Sequence, residues 1–321
     1  MRNCAVIGCG WAGKHHLDAI RESGCARLAA AAEPDPGRRE WIAKAYGVPV
    51  YEDLEDLLAR QPFDTAVVAT LPTLHFAQCQ ALIRAGKHVL CEKPVCRSSR
   101  EIRLLMEEAR AAGVRFGVVF NQRYGEMVKK LEEMLQKDST PRHLACASMY
   151  QDFPKHTGGH IDETFLLTDS CCHLLDLLTY LCGPVEQVRA LGAKTASEPY
   201  SDVAVALRFR GGCVGAMTHT TVGGRLDTQH PFQRIDIHTG LGRYCLESLG
   251  ARLTFYPHGR EAREVMEPSV FARENYAASL REACKAYLEA VDTGEPLPAD
   301  LTDALENMLV IEAMIASLRE K

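Results

Sequence analysis

No stretch of this 321-residue chain stays apolar for the roughly 18 to 20 residues that a membrane-crossing helix needs. No basic block stands out among 37 Lys and Arg set against 42 Asp and Glu, and the net charge is -5. Neither an anionic membrane nor a nucleic acid is therefore expected as the main partner. Thirteen cysteines are present without one C-x-x-C pair, and their odd number and irregular spacing argue against a disulfide framework or a zinc ribbon. Cys4, Cys91 and Cys182 sit in apolar runs, where cysteine behaves as a small hydrophobe. Met1-Arg2-Asn3 leads straight into such a run with no signal-peptide layout, so a reducing cytoplasm is the expected setting. Internal repeats and low-complexity segments are also missing.

What is there has ordinary globular proportions, 46% hydrophobic and 25% charged, in a chain too long for one hydrophobic core. Two domains follow. Up to about residue 122, short apolar strands alternate with amphipathic helices, which predicts a doubly wound parallel sheet, an α/β Rossmann domain. The stretch Arg27–Glu33 is alanine-rich and would suit a helix on propensity; its short span between Gly24 and Pro34 favours a strand. From 123 to 321 the rhythm changes to a long run of strands joined by turns such as Arg210-Gly211-Gly212, one apolar helix at Ser170–Cys182, and two closing helices. That pattern predicts an α+β domain on an open, mostly antiparallel sheet.

Gly8-Cys9-Gly10-Trp11-Ala12-Gly13 is a G-x-G-x-x-G loop. Alone it is a weak signal. Here it follows a strand, opens a helix, and precedes an acidic residue, Glu33, at the end of the next strand, as a dinucleotide-binding turn requires. The loop backbone and helix N-terminus would face the pyrophosphate. Glu33 would accept hydrogen bonds from the ribose hydroxyls and repel a 2′-phosphate, favouring NAD, with NADP possible because Arg38 and Arg39 follow closely.

Three segments together carry a family resemblance: Gly8-x-Gly10-x-x-Gly13-x-x-His16, Val68-Ala69-Thr70-x-x-x-x-His75, and Ala85-Gly86-Lys87-His88-Val89-Leu90-Cys91-Glu92-Lys93-Pro94. The chain resembles the glucose–fructose oxidoreductase/inositol dehydrogenase/rhizopine-catabolism (Gfo/Idh/MocA) family over its whole length. The resemblance implies hydride transfer between NAD and a hydroxyl carbon of a sugar, cyclitol or related compound. It implies cofactor contacts from the glycine loop with Trp11 and Ala12, from Glu33, Thr70, His75, Glu92 and Lys93, and a cis Lys93–Pro94 bond. Asp169, His173 and Asp176 match the second-domain motif, which implies catalysis by Lys93 and His173 with Asp169 beside them. Two departures bear on the pocket: Glu163-Thr164-Phe165-Leu166-Leu167 stands where relatives often carry two glycines, and the turn after the fourth strand reads Thr70-Leu71-Pro72.

The same residues read physically. A lysine at the carboxyl end of a parallel strand lies at the ligand-binding edge of an open α/β sheet, and Pro94 restricts it to an extended backbone. Histidine titrates near neutrality, which suits proton exchange with a hydroxyl. Asp169 and His173, four apart, share one helix face. Asn121 and Arg123 after the last Rossmann strand, and Asp152 after the first strand of the second domain, are candidate substrate contacts. His156, His160, Asp162 and Glu163 raise a metal question, but Thr157-Gly158-Gly159 disfavours the helix that a His-x-x-x-His pair needs, so no metal is expected. Two other functions fit the scaffold: an enzyme cycling bound NAD without net redox, and a nucleotide-sensing regulator. An open sheet would leave a face bare in a monomer; the resemblance implies pairing through it into a dimer or tetramer.

Overall fold

The computed structural model describes residues 1–150, 164–194, 200–221, 232–248, 250–261, 263–268 and 272–320. They form two compact units, Met1–Asn121 with Leu280–Leu305, and Gln122–Ser279 with Glu306–Lys321.

In the first unit, six parallel strands are β1 (Arg2–Ile7), β2 (Ala26–Ala32), β3 (Val50–Tyr51), β4 (Thr65–Val68), β5 (His88–Glu92) and β6 (Phe116–Val119), in the order β3-β2-β1-β4-β5-β6. The crossovers are α1 (Trp11–Ser23), α2 (Pro36–Tyr46), α3 (Leu54–Arg60), α4 (Pro72–Arg84) and α5 (Ser99–Ala112). The order reverses between β1 and β4, the switch point beyond which doubly wound sheets hold nucleotides. Helices on both faces explain why Cys4–Ile7, Ala29–Ala32 and Ala66–Val68 are buried throughout. That burial settles the alanine run as a strand against its helical propensity. Local chemistry starts the helices: Asp35, Asp53 and Ser98 accept the N–H of Arg38, Asp56 and Glu101, three residues on.

The expected boundary gave everything beyond 122 to the second domain, yet Leu280–Leu305 packs in the first unit. The reason is the exposed edge of β6. Val118 N–H donates to the Ala299 carbonyl at 3.1 Å, and Gly117 bridges Asp300. Tyr287 of α8 (Ala272–Thr293) lies over Gly117, where a Cβ would overlap its ring. An unpaired edge is thereby covered.

The second unit is built on eight strands: β7 (Arg142–Tyr150), β8 (Val185–Ala193), β9 (Asp202–Phe209), β10 (Val214–Thr220), β11 (Phe232–Thr239), β12 (Gly242–Glu247), β13 (Arg252–Pro257) and β14 (Glu264–Met266). Their order is β14-β13-β12-β11-β7-β10-β9-β8, antiparallel except for the β7–β10 pair. Side chains alternate: Ala145, Ala147 and Met149 of β7 and Met217 and His219 of β10 are buried, while Val214, Ala216 and Thr218 are exposed. The buried face carries α6 (Glu126–Lys137) and α7 (Cys172–Cys182). Val128 of α6, Leu177 of α7 and Gln233 and Ile235 of β11 enclose a cavity of about 10 Å³.

Candidate active site

In the glycine loop, backbone geometry leaves no room for side chains. Gly8 has φ +82°, and a Cβ there would sit 2.7 Å from Thr70 Cγ2 and 2.8 Å from the Ala69 carbonyl oxygen. A Cβ on Gly13 would collide with the Gly8 carbonyl oxygen, so α1 can press onto the loop only through glycine. Gly10 differs: nothing lies within 4 Å of its missing Cβ, which leaves the backbone bare on the side a pyrophosphate would occupy. Neither an acidic residue in the first turn nor a capping side chain competes for the N-terminus of α1. Trp11 beside it is 60% exposed. These residues fit a dinucleotide.

Glu33 is buried at the end of β2, where Oε2 accepts the Cys9 N–H at 2.9 Å. Oε1 accepts the Asp35 N–H at 3.2 Å and an Arg38 N–H at 3.4 Å. Three donors leave about one of a carboxylate's four acceptor positions for a ribose hydroxyl. Arg39, which could have drawn a 2′-phosphate, donates to the carbonyls of Glu33 and Pro34 at 2.9 and 2.7 Å. Fluorescence titration should therefore show tighter binding of NADH than of NADPH; the opposite order would contradict this arrangement.

At the far end of β5, the residues expected to touch cofactor mostly hold one another. Glu92 Oε1 accepts from His16 Nε2 at 2.8 Å, and Oε2 lies 3.3 Å from the Lys93 N–H. His75, fully buried, places Nδ1 2.8 Å from the Pro94 carbonyl and Nε2 3.1 Å from that of Thr70. Burial holds its pKa below the ordinary value, while both carbonyls can only accept from a ring N–H. Thr70 Oγ1 donates to Gln78 at 2.6 Å. His75 and Thr70 are thus struts behind the cis Lys93–Pro94 peptide, with half-buried Lys93 at its tip. His16 had been read only as part of a motif. The available signal was its place with Gly13, Leu17 and Ile20 on the buried stripe of α1, where a histidine needs a partner.

In the second unit, the helix carrying Asp169 and His173 starts earlier than its periodicity suggested. A π-type turn, Leu166–Cys171, runs directly into α7; such turns concentrate at functional sites. Asp169 lies in that turn, half-buried, and His173 in the first α-helical turn, 7% exposed. Asn307 anchors the junction by donating Nδ2 to the Cys172 carbonyl at 2.9 Å.

Arg123 has a partner in α7. It is buried, with Nε 3.0 Å from Asp176 Oδ2, an Nη 2.5 Å from Oδ1, and its guanidinium 4.8 Å from the Tyr180 ring centre. The pair ties the 3-10 turn Asn121–Tyr124 to α7. Asn121, the last residue of the first unit, is also buried. Asp152 lies outside the described residues, as do His156, His160, Asp162 and Glu163.

Comparisons with known proteins agree with this fold. Residues 2–120 match the oxidoreductase family with an NAD-binding Rossmann fold, and residues 131–321 match the same family's C-terminal alpha/beta domain. The putative UDP-kanosamine synthase oxidoreductase subunit of Amycolatopsis mediterranei is 34% identical over 194 residues, 59% of this chain and 54% of that one. The myo-inositol 2-dehydrogenase of Thermotoga maritima is 27% identical over 334 aligned positions, 98% of this chain and 96% of that one. An oxidoreductase from Agrobacterium radiobacter, solved with NAD+, L-tartaric acid and magnesium, shares the fold with a TM-score of 0.89 at 20% identity, over 99% of this chain and 96% of that one. With both of its halves matched, the chain belongs to the Gfo/Idh/MocA family of NAD-binding oxidoreductases.

Proposed function

We propose that this oxidoreductase oxidises a hydroxyl carbon of a sugar, cyclitol or related polyhydroxy compound, with Lys93 and His173 as its acid–base pair. The observation that carries this reading is the fixing of Lys93: His16 and Glu92 on one side and His75 on the other hold its backbone at the carboxyl end of β5, the edge where such sheets bind ligands. Bound NAD supplies the hydride acceptor. His173 takes the hydroxyl proton as the carbon gives up its hydride, and returns it in the reverse direction. The Lys93 ammonium stabilises the oxygen charge that develops meanwhile. Asp169, four residues before His173, orients the imidazole or a substrate hydroxyl. A panel of cyclitols and sugars scored by NADH absorbance, with mass spectrometry of the products, tests this. One or more should give NADH and an oxidised product in equal amounts. Product formed without NADH would point to a closed redox cycle instead.

The same reading includes a cytoplasmic homo-oligomer. Among the described residues no helix is long and apolar enough to cross a membrane. The outward face of the eight-stranded sheet exposes Leu191, Ala204, Ala206, Val214 and Ala216, a small-residue apolar surface suited to self-association. Sedimentation velocity should show a dimer or tetramer; monomer alone would contradict it.

A further inference from the structure

The glycine loop and Lys93 follow the carboxyl ends of β1 and β5, the nucleotide edge of the parallel sheet. A separate cavity of about 590 Å³ opens in the same unit, between α5 and the chain segment that covers the β6 edge. It shares no residue with the loop or with the β5 end, and its size falls among those of small-molecule sites. The floor is apolar and closed: Ala109 of α5, Phe116 at the amino end of β6, and Leu301, which begins α9 (Leu301–Arg319), are all buried. Half-buried Met106 and Leu305 form the walls.

Three guanidiniums stand around this floor against two carboxylates, Arg103, Arg110 and Arg115 against Glu107 and Asp300. The lining is thus net positive in a chain whose net charge is -5. Asp300 is already committed. Its Oδ1 accepts the Thr302 N–H at 2.6 Å, and its own N–H donates to Asp303 Oδ2 at 2.9 Å, so this acid fills the N-terminus of α9 and leaves no seat for an anion there. Arg115 is partly committed, donating to the Glu295 carbonyl. Arg103, Glu107 and Arg110 are spaced four and three apart, which puts them on one face of α5. Arg103 uses a single N–H, from Nη1 to Ser99 Oγ at 3.1 Å. The side chains of Arg110 and Glu107 have no hydrogen-bond or ion-pair partner among the described residues. A helix face that served only solvation would carry such charges over a filled surface; these ring an apolar hollow.

We propose that the cavity binds an organic monoanion with a flat apolar body, its carboxylate or sulfonate held by Arg103 and Arg110 and its body laid over Phe116 and Leu301. A guanidinium presents a planar fork of donors that matches a carboxylate and carries no acceptor. The floor adds the burial that an exposed ion pair lacks. A neutral ligand would leave the arginines unused, and a polyanion would meet Glu107 and Asp300. Since the glycine loop lies elsewhere, this ligand and NAD bind together.

The test uses the full chain saturated with NAD, so that the nucleotide site is filled. The probes are 1-anilinonaphthalene-8-sulfonate and its uncharged analogue N-phenyl-1-naphthylamine, followed by fluorescence. We expect one sulfonate per chain with a Kd of about 10–100 µM. Arg103→Ala/Arg110→Ala should raise that Kd about tenfold or more. Glu107→Gln, which removes an opposing charge, should lower it about twofold or more, a gain that structural damage would not mimic. The uncharged probe should bind more weakly and respond to neither change. All three side chains are exposed, so melting temperatures should stay at the wild-type value; if the double variant does not fold, the Glu107→Gln shift decides. No sulfonate bound to the NAD-saturated protein, a Kd that both changes leave within 1.5-fold of wild type on the order-of-magnitude scale of one ion pair, or an uncharged probe that binds as tightly as the sulfonate would overturn the proposal.

Discussion

Replacing His173 with alanine is expected to cut turnover by about 10² or more while leaving NADH affinity at the wild-type value. The two readouts separate because His173 belongs to the second unit, whereas the glycine loop, Glu33 and the β5 end belong to the first. The histidine sits in a helix whose leucines, Leu174, Leu175, Leu177, Leu178 and Leu181, are all buried. Its packing loss on truncation is therefore real, and thermal unfolding should be measured beside the kinetics. A stable His173→Ala protein with wild-type-like turnover would remove the residue from the chemistry.

The second large effect concerns stability. Asp176→Ala should destabilise the protein by about 3–5 kcal/mol, because it leaves the Arg123 guanidinium buried without its carboxylate. Thermal unfolding followed by circular dichroism should show a loss on the order of 10 °C. The pair is 7% and 3% exposed, so little solvent is available to take over from the missing charge. The double variant Arg123→Met/Asp176→Leu should recover much of the loss, since a hydrophobic replacement of a whole buried pair is often neutral or stabilising. An Asp176→Ala protein melting like wild type would show that the pair is not the strut described above. Because Asp176 is three residues from His173 on the same helix, turnover should fall as well.

Much of the first unit was legible because its signals are local. Strand β5 and helix α3 fall where hydrophobic runs and turn residues end, and the glycine loop announces itself through positions that only glycine can fill. The alanine run of β2 was decided by its length between Gly24 and Pro34, not by its composition. Other features depend on partners distant in sequence. Arg123 was read as a candidate substrate contact; its pairing with Asp176, 53 residues on, is made only by the fold. The π-type turn at Leu166–Cys171 has no periodic signature, since its apolar residues also fit an ordinary helix. Leu280–Leu305 joins the first unit because β6 has an edge to cover, and no local pattern in the closing helices records that demand. Within the site, what depends on the fold is what the expected cofactor residues hold: Glu92 accepts from His16, and His75 lies against the Pro94 carbonyl.

The central claim, that Lys93 and His173 work as a unit on one hydroxyl, is tested most directly by single-turnover NADH formation from a polyol of the panel. Wild type, Lys93→Ala, His173→Ala and the double variant would be compared at saturating NAD. Groups acting as a unit lose most of their effect when either is removed, so each single variant should fall nearly as far as the double. Either single variant forming NADH at the wild-type rate, or losses that multiply independently in the double, would contradict it.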